Sequence, residues 1–171
     1  MSKLSASFPC VLACASFLFA QAAPAAGPAK EGSFDTLRCV AGTVEFLTEA
    51  KGASAAFVDV IGTPMAKEGE LFFGTSVRCL AYVSTIDKES KIYGSCLYTD
   101  RDGDHFLANY SGGTSDPAVT EGGPWKAVAG TGKFEGLEAG GTWTHVNVPA
   151  KQARANWYNG CDRDSGHWKL K

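Results

Sequence analysis

The chain has 171 residues, of which 44% are hydrophobic and 20% charged, a balance typical of a single globular domain and not of a disordered chain. Its formal net charge at pH 7 is −2, and its lysines and arginines form no cluster. This charge pattern argues against nucleic acid and against anionic membrane surfaces as partners.

The first 22 residues are predicted to be a secretory signal peptide. Lys3 is their only charged residue, the segment 8–20 is largely apolar, and Ala-Gln-Ala ends the region. The apolar run is shorter than the ~20 residues that a transmembrane helix needs. We therefore expect cleavage after Ala22, export to the periplasm or the medium, and no transmembrane segment. Lipid attachment at Cys14 is the alternative, disfavoured because the apolar run must precede the cleavage point.

The remainder of the chain is predicted to be a short leader followed by one domain. Residues 23–32 are mainly Ala, Pro and Gly, with little to bury, so we expect a flexible leader there. No internal repeat or second domain is visible in residues 33–171. Removal of the signal peptide changes the formal net charge from −2 to −3, because it contains one lysine and no acid.

The domain is predicted to be all-β, a sandwich or a barrel. Runs rich in Val, Phe, Tyr, Trp and Thr alternate with turn residues, which is the pattern of many short strands. The segment 150–157 has some helical propensity and is predicted as one helical turn or another strand. The predicted strands cover residues 34–46, 55–61, 71–84, 92–99, 105–110, 125–129, 141–148 and 166–170.

Four cysteines are left once Cys10 and Cys14 are removed with the signal peptide. In an exported protein, four cysteines predict two disulfides. A zinc site is disfavoured because no two of these cysteines are close enough in sequence to chelate a metal locally. If Thr85 and Ser90 close a four-residue hairpin loop, Cys79 lies opposite Cys96. We therefore predict the pairs Cys79–Cys96 and Cys39–Cys161 among three possible connectivities.

The segment 99–105, with the sequence TDRDGDH, has the alternating aspartates of a calcium-binding loop. An EF-hand that starts at Asp100 would need glycine at its sixth position and glutamate at its twelfth, where the chain has His105 and Ser111. The flanking residues are strand-like, and Asp102 with Gly103 is a strong hairpin signal. We therefore predict a structural turn that needs no calcium.

This hairpin also supplies the candidate ligand-binding residues. A two-residue type I′ loop would place Asp100 opposite His105, with Tyr98 opposite Leu107 and Cys96 opposite Asn109. One side of the hairpin would then mix apolar and polar groups, and in a barrel such a side can line a pocket. The predicted ligand-binding residues are Tyr98, Asp100, His105 and Asn109.

Two other patterns do not support a specific chemistry. The Gly-Thr-Gly-Lys sequence at 130–133 lacks the spacing and the following helix of a phosphate-binding loop, so a glycine-rich hairpin or corner is expected there. His105, His145 and His167 lie in three predicted strands without the spacing of metal ligands. We accordingly predict no cofactor and no metal.

The order of these features resembles a known family. Arg78 and Cys79 lie on one strand, the hairpin 94–104 and the glycine-rich segment 130–143 follow, and Cys161 precedes the segment 166–170. This arrangement resembles small exported bacterial β-barrel proteins related in fold to allene oxide cyclase and dirigent proteins. The resemblance covers most of the domain and rests on hairpins and glycine corners.

The resemblance implies a single antiparallel up-and-down barrel of about eight strands, of the calycin type, whose interior can hold a small apolar molecule. Function does not follow from such a fold. The expected role is non-catalytic binding of a small hydrophobic ligand or of an envelope partner. The alternative is a cyclase or isomerase that confines its substrate in the barrel, with Asp100, His105 or Asn109 directing protons.

Overall fold

The computed structural model describes residues 30–114, 121–146 and 156–171. In these ranges the chain forms eight β-strands and one 3-10 turn, Gly132–Phe134, between the sixth and seventh strands. The strands are β1 (Glu31–Ala50), β2 (Ala53–Met65), β3 (Thr75–Ile86), β4 (Glu89–Asp100), β5 (His105–Thr114), β6 (Gly122–Gly130), β7 (Glu138–Val146) and β8 (Trp157–Lys169).

The strands close into a barrel in chain order. Each strand pairs antiparallel with the next, and β8 pairs with β1 from Glu31 opposite Lys169 to Thr43 opposite Trp157. The prediction of an all-β, single antiparallel up-and-down barrel of eight strands is confirmed. Closure pairs the first strand with the last, so that neither is left as an open sheet edge.

The predicted signal peptide and most of the predicted leader lie outside the described residues. Strand β1 begins at Glu31, two residues before the predicted start of the domain at residue 33. Within the described part of the chain, no helix is long and apolar enough to span a membrane.

Every predicted strand occurs, and the differences lie at strand ends. The predicted strand 71–84 begins only at Thr75, because the preceding residues form a turn that places Phe72 among the interior rings. The predicted strand 166–170 is the end of the longer β8, which begins at Trp157. Residues 147–155, which include most of the segment 150–157, lie outside the described residues.

One end of the barrel interior is filled with aromatic side chains. The ring of Phe72 lies 5.0 Å from that of Phe34 and 4.9 Å from that of Tyr98, and Phe106 stacks on Tyr98 at 4.7 Å. Phe134 of the 3-10 turn lies against Phe106. Burial of each such ring contributes about 1.5–3 kcal/mol to folding. We call this the closed end, and we call the opposite end, where the β1–β2 and β3–β4 turns lie, the open end.

The predicted register of the β4–β5 hairpin is wrong by one position. His105 lies opposite Thr99, not Asp100, and Tyr98 lies opposite Phe106, not Leu107. The loop has three residues instead of two, because the amide of Gly103 donates to the carbonyl of Asp100 and only Gly103 in this loop has a positive φ, of 90°. A shift of one residue moves every side chain of β5 to the other face of the sheet.

The carboxylates of this turn are used within the protein. Oδ1 of Asp100 accepts hydrogen bonds from the amides of Asp102 and Asp104, and Oδ2 pairs with the ammonium group of Lys133. Oδ2 of Asp104 accepts a hydrogen bond from the amide of Lys133 at 3.0 Å. The segment 99–105 thus connects two strands and ties the β4–β5 turn to the 3-10 turn.

Both predicted disulfides are present. Cys79 pairs with Cys96 and faces the barrel interior, and Cys39 pairs with Cys161 across the junction of the first and last strands. The register predicted for β3 and β4 is correct. The loop between these strands has two residues instead of the assumed four, and both of them, Asp87 and Lys88, have positive φ. This is the dihedral pattern of a type I′ turn.

Candidate ligand-binding cavity

The open end of the barrel contains a cavity of about 310 Å³. One wall is aliphatic because the inward positions of the first four strands carry mainly Val and Ala. An apolar cavity of about 150 Å³ accommodates benzene, so this one suits a molecule of about two such rings. The aliphatic wall consists of Val40, Val44, Ala56, Val58, Val60, Ala81, Val83 and Ile92.

The cavity exists because small residues occupy inward positions at the open end. Ala56 and Ala81 face the interior on β2 and β3 and leave the space that rings fill at the closed end. On β8, a Cβ at Gly160 would lie 2.5 Å from the hydroxyl oxygen of Tyr158 and 2.8 Å from Cε1 of His145. Glycine at this position therefore lets both side chains lie over the β8 backbone.

The floor of the cavity is an ion-paired network between the first and last strands. Nη2 of Arg38 lies 3.0 Å from Oδ2 of Asp162, and Nε lies 3.4 Å from Oδ2 of Asp164. Nη1 donates to the hydroxyl of Tyr98 at 2.7 Å. The Arg38 and Asp164 side chains are only 7% and 5% exposed. One buried guanidinium thus pairs with two buried carboxylates. Loss of the guanidinium would leave both carboxylates without this counter-charge, and loss of the carboxylates would leave the guanidinium without one.

Two further titratable groups lie on the polar side of the cavity. Nδ1 of His145, on β7, lies 3.2 Å from Oδ1 of Asp162. Glu121 immediately precedes β6, and its backbone carbonyl accepts a hydrogen bond from the amide of His145 at 2.7 Å. The carboxyl of Glu121 has a hydrogen bond with Ser90. Its Oε1 is buried and has no hydrogen-bond partner among the described residues, which is unusual for a carboxylate oxygen.

Burial and neighbouring charges shift the titration of these groups. The hydrogen bond to Asp162 raises the pKa of His145 above its ordinary value, against the opposing effect of burial. Burial raises the pKa of Glu121, although His145 opposes the shift. Burial also raises the pKa of Asp164 to about 6, although Arg38 opposes it. A cavity with several carboxyls and a histidine of shifted pKa is a candidate functional site.

Aromatic side chains complete the polar side of the cavity. Tyr110 and Trp143 meet edge to face with ring centroids 5.8 Å apart, and the indole nitrogen of Trp143 donates to the carbonyl of Ser111 at 3.0 Å. Burial raises the pKa of Tyr110 to about 12, so its hydroxyl keeps its proton at neutral pH. The ring of Tyr158 lies 6.4 Å from that of His145. The cavity is therefore lined by aromatic side chains and tyrosines as well as by carboxylates.

The four sequence-predicted ligand-binding residues do not come together. Tyr98 lies in the interior, where its hydroxyl contacts Arg38 below the cavity. Asp100 is buried in the turn at the closed end. His105 and Asn109 lie on the outer face of β5, where Asn109 contacts the hydroxyl of Ser95. Their proposed role in ligand binding stays a prediction, and none of the four lines the cavity.

The residues of the polar network were not identified from the sequence. Arg38 lies on the same face of β1 as Phe34 and Val40, so strict alternation marks it as an inward arginine. Asp162 and Asp164 alternate on β8 in the same way, which also indicates charged residues that face inward. The run of polar residues around them, however, resembles a turn. A charged residue at an inward strand position is therefore the sequence feature that indicates this site.

The histidines do not share a site. His145 lies in the cavity, whereas His105 and His167 lie on the outer surface, on β5 and β8. In residues 30–114, 121–146 and 156–171, no group of three or more His, Cys, Asp or Glu side chains is arranged to hold a metal ion.

A larger concavity of about 900 Å³ lies at the closed end, along β1, β6, β7 and β8. It is wide open, and the charged side chains of Glu31, Lys126, Glu138 and Lys169 border it. The open-end cavity is smaller but more enclosed, so it removes more of a ligand's apolar surface from water. For this reason the open-end cavity is the stronger candidate site.

Comparison of the chain with protein-family models, with curated proteins and with solved structures found no match. The interpretation of the cavity therefore depends on its own geometry and chemistry.

Proposed function

We propose that the protein binds a small, largely apolar molecule in the open-end cavity and does not change it chemically. The observation that supports this most directly is a partly enclosed cavity of about 310 Å³ with an aliphatic wall on one side and polar groups on the other. Ligand sites of proteins have this composition, and their volumes begin at about 300 Å³. The closed end is packed with rings, so the interior has a floor beneath the cavity.

The proposal is tested by filling the cavity. Val58→Trp places a large side chain in the aliphatic wall, and Phe57→Trp, one residue away, places the same side chain on the outer face. The probe is Prodan, a neutral two-ring dye whose emission reports an apolar environment, excited beyond the tryptophan absorption band. We expect saturable binding that Val58→Trp abolishes and Phe57→Trp preserves. Equal binding by both variants would refute a site in the cavity.

A second experiment identifies the ligand. The protein is exported in its native compartment, purified without organic solvent, and analysed by mass spectrometry before and after denaturation. A molecule of about two rings that co-purifies with the wild type and not with Val58→Trp supports the proposal.

Proton-transfer catalysis in the same cavity is the second candidate function. His145, held by Asp162, and Glu121 with its unpaired oxygen could take a proton from one carbon of a confined substrate and return it to another, as an isomerase or cyclase does. The co-purified molecule provides the discriminating test. Turnover of that molecule by the wild type, lost in His145→Gln while its Kd is retained, would favour catalysis over binding alone.

We also propose that the barrel is of the calycin type, related to allene oxide cyclase and dirigent proteins, and that the protein is exported. Eight antiparallel strands closed in chain order are consistent with the first proposal. Two disulfides fit an oxidising compartment and support the second. The intact mass of secreted protein tests export, with cleavage expected after Ala22.

A further inference from the structure

Among the described residues, the charges around the cavity do not balance. Two groups can carry positive charge, Arg38 on β1 and His145 on β7, and three carboxyls face them, from Glu121, Asp162 and Asp164. The described part of the interior therefore has an excess of at least one negative charge when the carboxyls are ionised. A buried excess charge is costly unless a counter-charge accompanies it.

The guanidinium of Arg38 lines the cavity, but it is already paired with two carboxylates. Its Nη2 and Nε face Asp162 and Asp164, and Nη1 donates to the hydroxyl of Tyr98. A ligand carboxylate at this position would have to displace one of the two aspartates and would face the other at close range. Like charges at such distances repel strongly in a buried site.

Glu121 provides an independent observation. Glu121 lines the cavity, and its buried Oε1 has no hydrogen-bond partner among the described residues. The rings of Tyr110, Trp143 and Tyr158 line the same cavity. A carboxylate and several aromatic side chains in one cavity are a combination that binds organic cations, because ring faces attract positive charge as carboxylates do.

We propose that the ligand of this cavity carries a protonated amine or a comparable cationic head group on an apolar body of about two rings. The head group lies against Glu121 and the aromatic side chains, and the body lies against the aliphatic wall around Val58 and Val60. This inference rests on the proposed binding function and adds the chemical class of the ligand.

Three indole compounds of matched size test the inference. Tryptamine, tryptophol and indoleacetate differ in head group, which is cationic, neutral or anionic, and share a two-ring body. Isothermal titration calorimetry at neutral pH and low salt measures each Kd with the wild-type protein. We expect tryptamine to bind about tenfold more tightly than tryptophol, and indoleacetate to bind more weakly than both. Equal binding of the three, or tightest binding of indoleacetate, would overturn the inference.

Two variants locate the effect. Glu121→Gln should remove the preference for tryptamine over tryptophol. Glu89→Gln, which removes an exposed carboxylate beside the β3–β4 turn, should keep the preference. The wild-type comparison is decisive even if Glu121→Gln does not fold. Binding of tryptophol without a preference for the amine refutes only the cationic head group, whereas failure of all three compounds and of Prodan refutes the proposed binding function as well.

Discussion

Arg38 and Asp162 join the first strand of the barrel to the last through its interior, with Nη2 and Oδ2 3.0 Å apart. They are 124 residues apart in the chain. The pair separates two regions of different character. Below it lie the packed rings of the closed end, and above it lies the cavity. The same contact therefore supports the fold and forms the floor of the candidate site.

Loss of the Arg38 side-chain charge should destabilise the protein strongly. Arg38→Met leaves Asp162 and Asp164 buried without their cation, and such changes cost about 3–5 kcal/mol in the free energy of unfolding. The matched control is Arg78→Met, which breaks the exposed pair between Arg78 and Asp59 on the outer face. Urea unfolding measures both variants. Similar values for the two would show that the interior network does not stabilise the fold.

The pKa of His145 should lie above its ordinary value because of the hydrogen bond to Asp162. Its pKa is raised in the folded state, so its contribution to stability is fully present below the unfolded-state pKa of about 6.5 and is lost as pH rises through the folded-state pKa. NMR titration of the histidine ring measures this value. Asp162→Asn should lower the pKa of His145, and Asp102→Asn, in the distant turn, should not. An unchanged pKa in Asp162→Asn would contradict the assigned cause.

The two disulfides should differ in their effect on stability. Cys39–Cys161 closes a sequence separation of 122 residues and Cys79–Cys96 one of 17. Chain entropy predicts losses of about 5 and about 3 kcal/mol, respectively, when each pair is replaced by alanines. Thermal and urea unfolding of the two double variants provide the comparison. A larger loss from the Cys79–Cys96 replacement would show that interior packing outweighs chain entropy.

The turn at 99–105 should depend on Asp100 and not on Asp102. Asp100 accepts two amide hydrogen bonds and pairs with Lys133, which lowers the pKa of its carboxyl. Its replacement by alanine should cost about 1.5–3 kcal/mol, the range for hydrogen bonds to charged groups. Asp102 is exposed, and Asp102→Ala should have little effect. Thermal melts of the wild type with millimolar calcium and with chelator should coincide, whereas a clear upward shift with calcium would identify a metal site.

The sequence by itself determined the class of fold, and it predicted the pairing of the cysteines on an assumed hairpin register. Enrichment in Val, Phe, Tyr, Trp and Thr between turn residues is a local property, so each strand could be located from its own residues. The register of β3 and β4 was predicted on the assumption that Thr85 and Ser90 close the loop, and the structure confirms that it places Cys79 opposite Cys96. The second disulfide then followed from the two cysteines that were left.

Only the tertiary structure decided the register of the β4–β5 hairpin and the composition of the candidate site. A three-residue loop in place of a two-residue one moved His105 and Asn109 to the outer face. The stagger between strands on barrel closure determines which distant inward residues meet, and no local pattern contains that information. Arg38 and Asp162 meet for this reason, since their contact depends on how the first and last strands of the closed barrel are aligned.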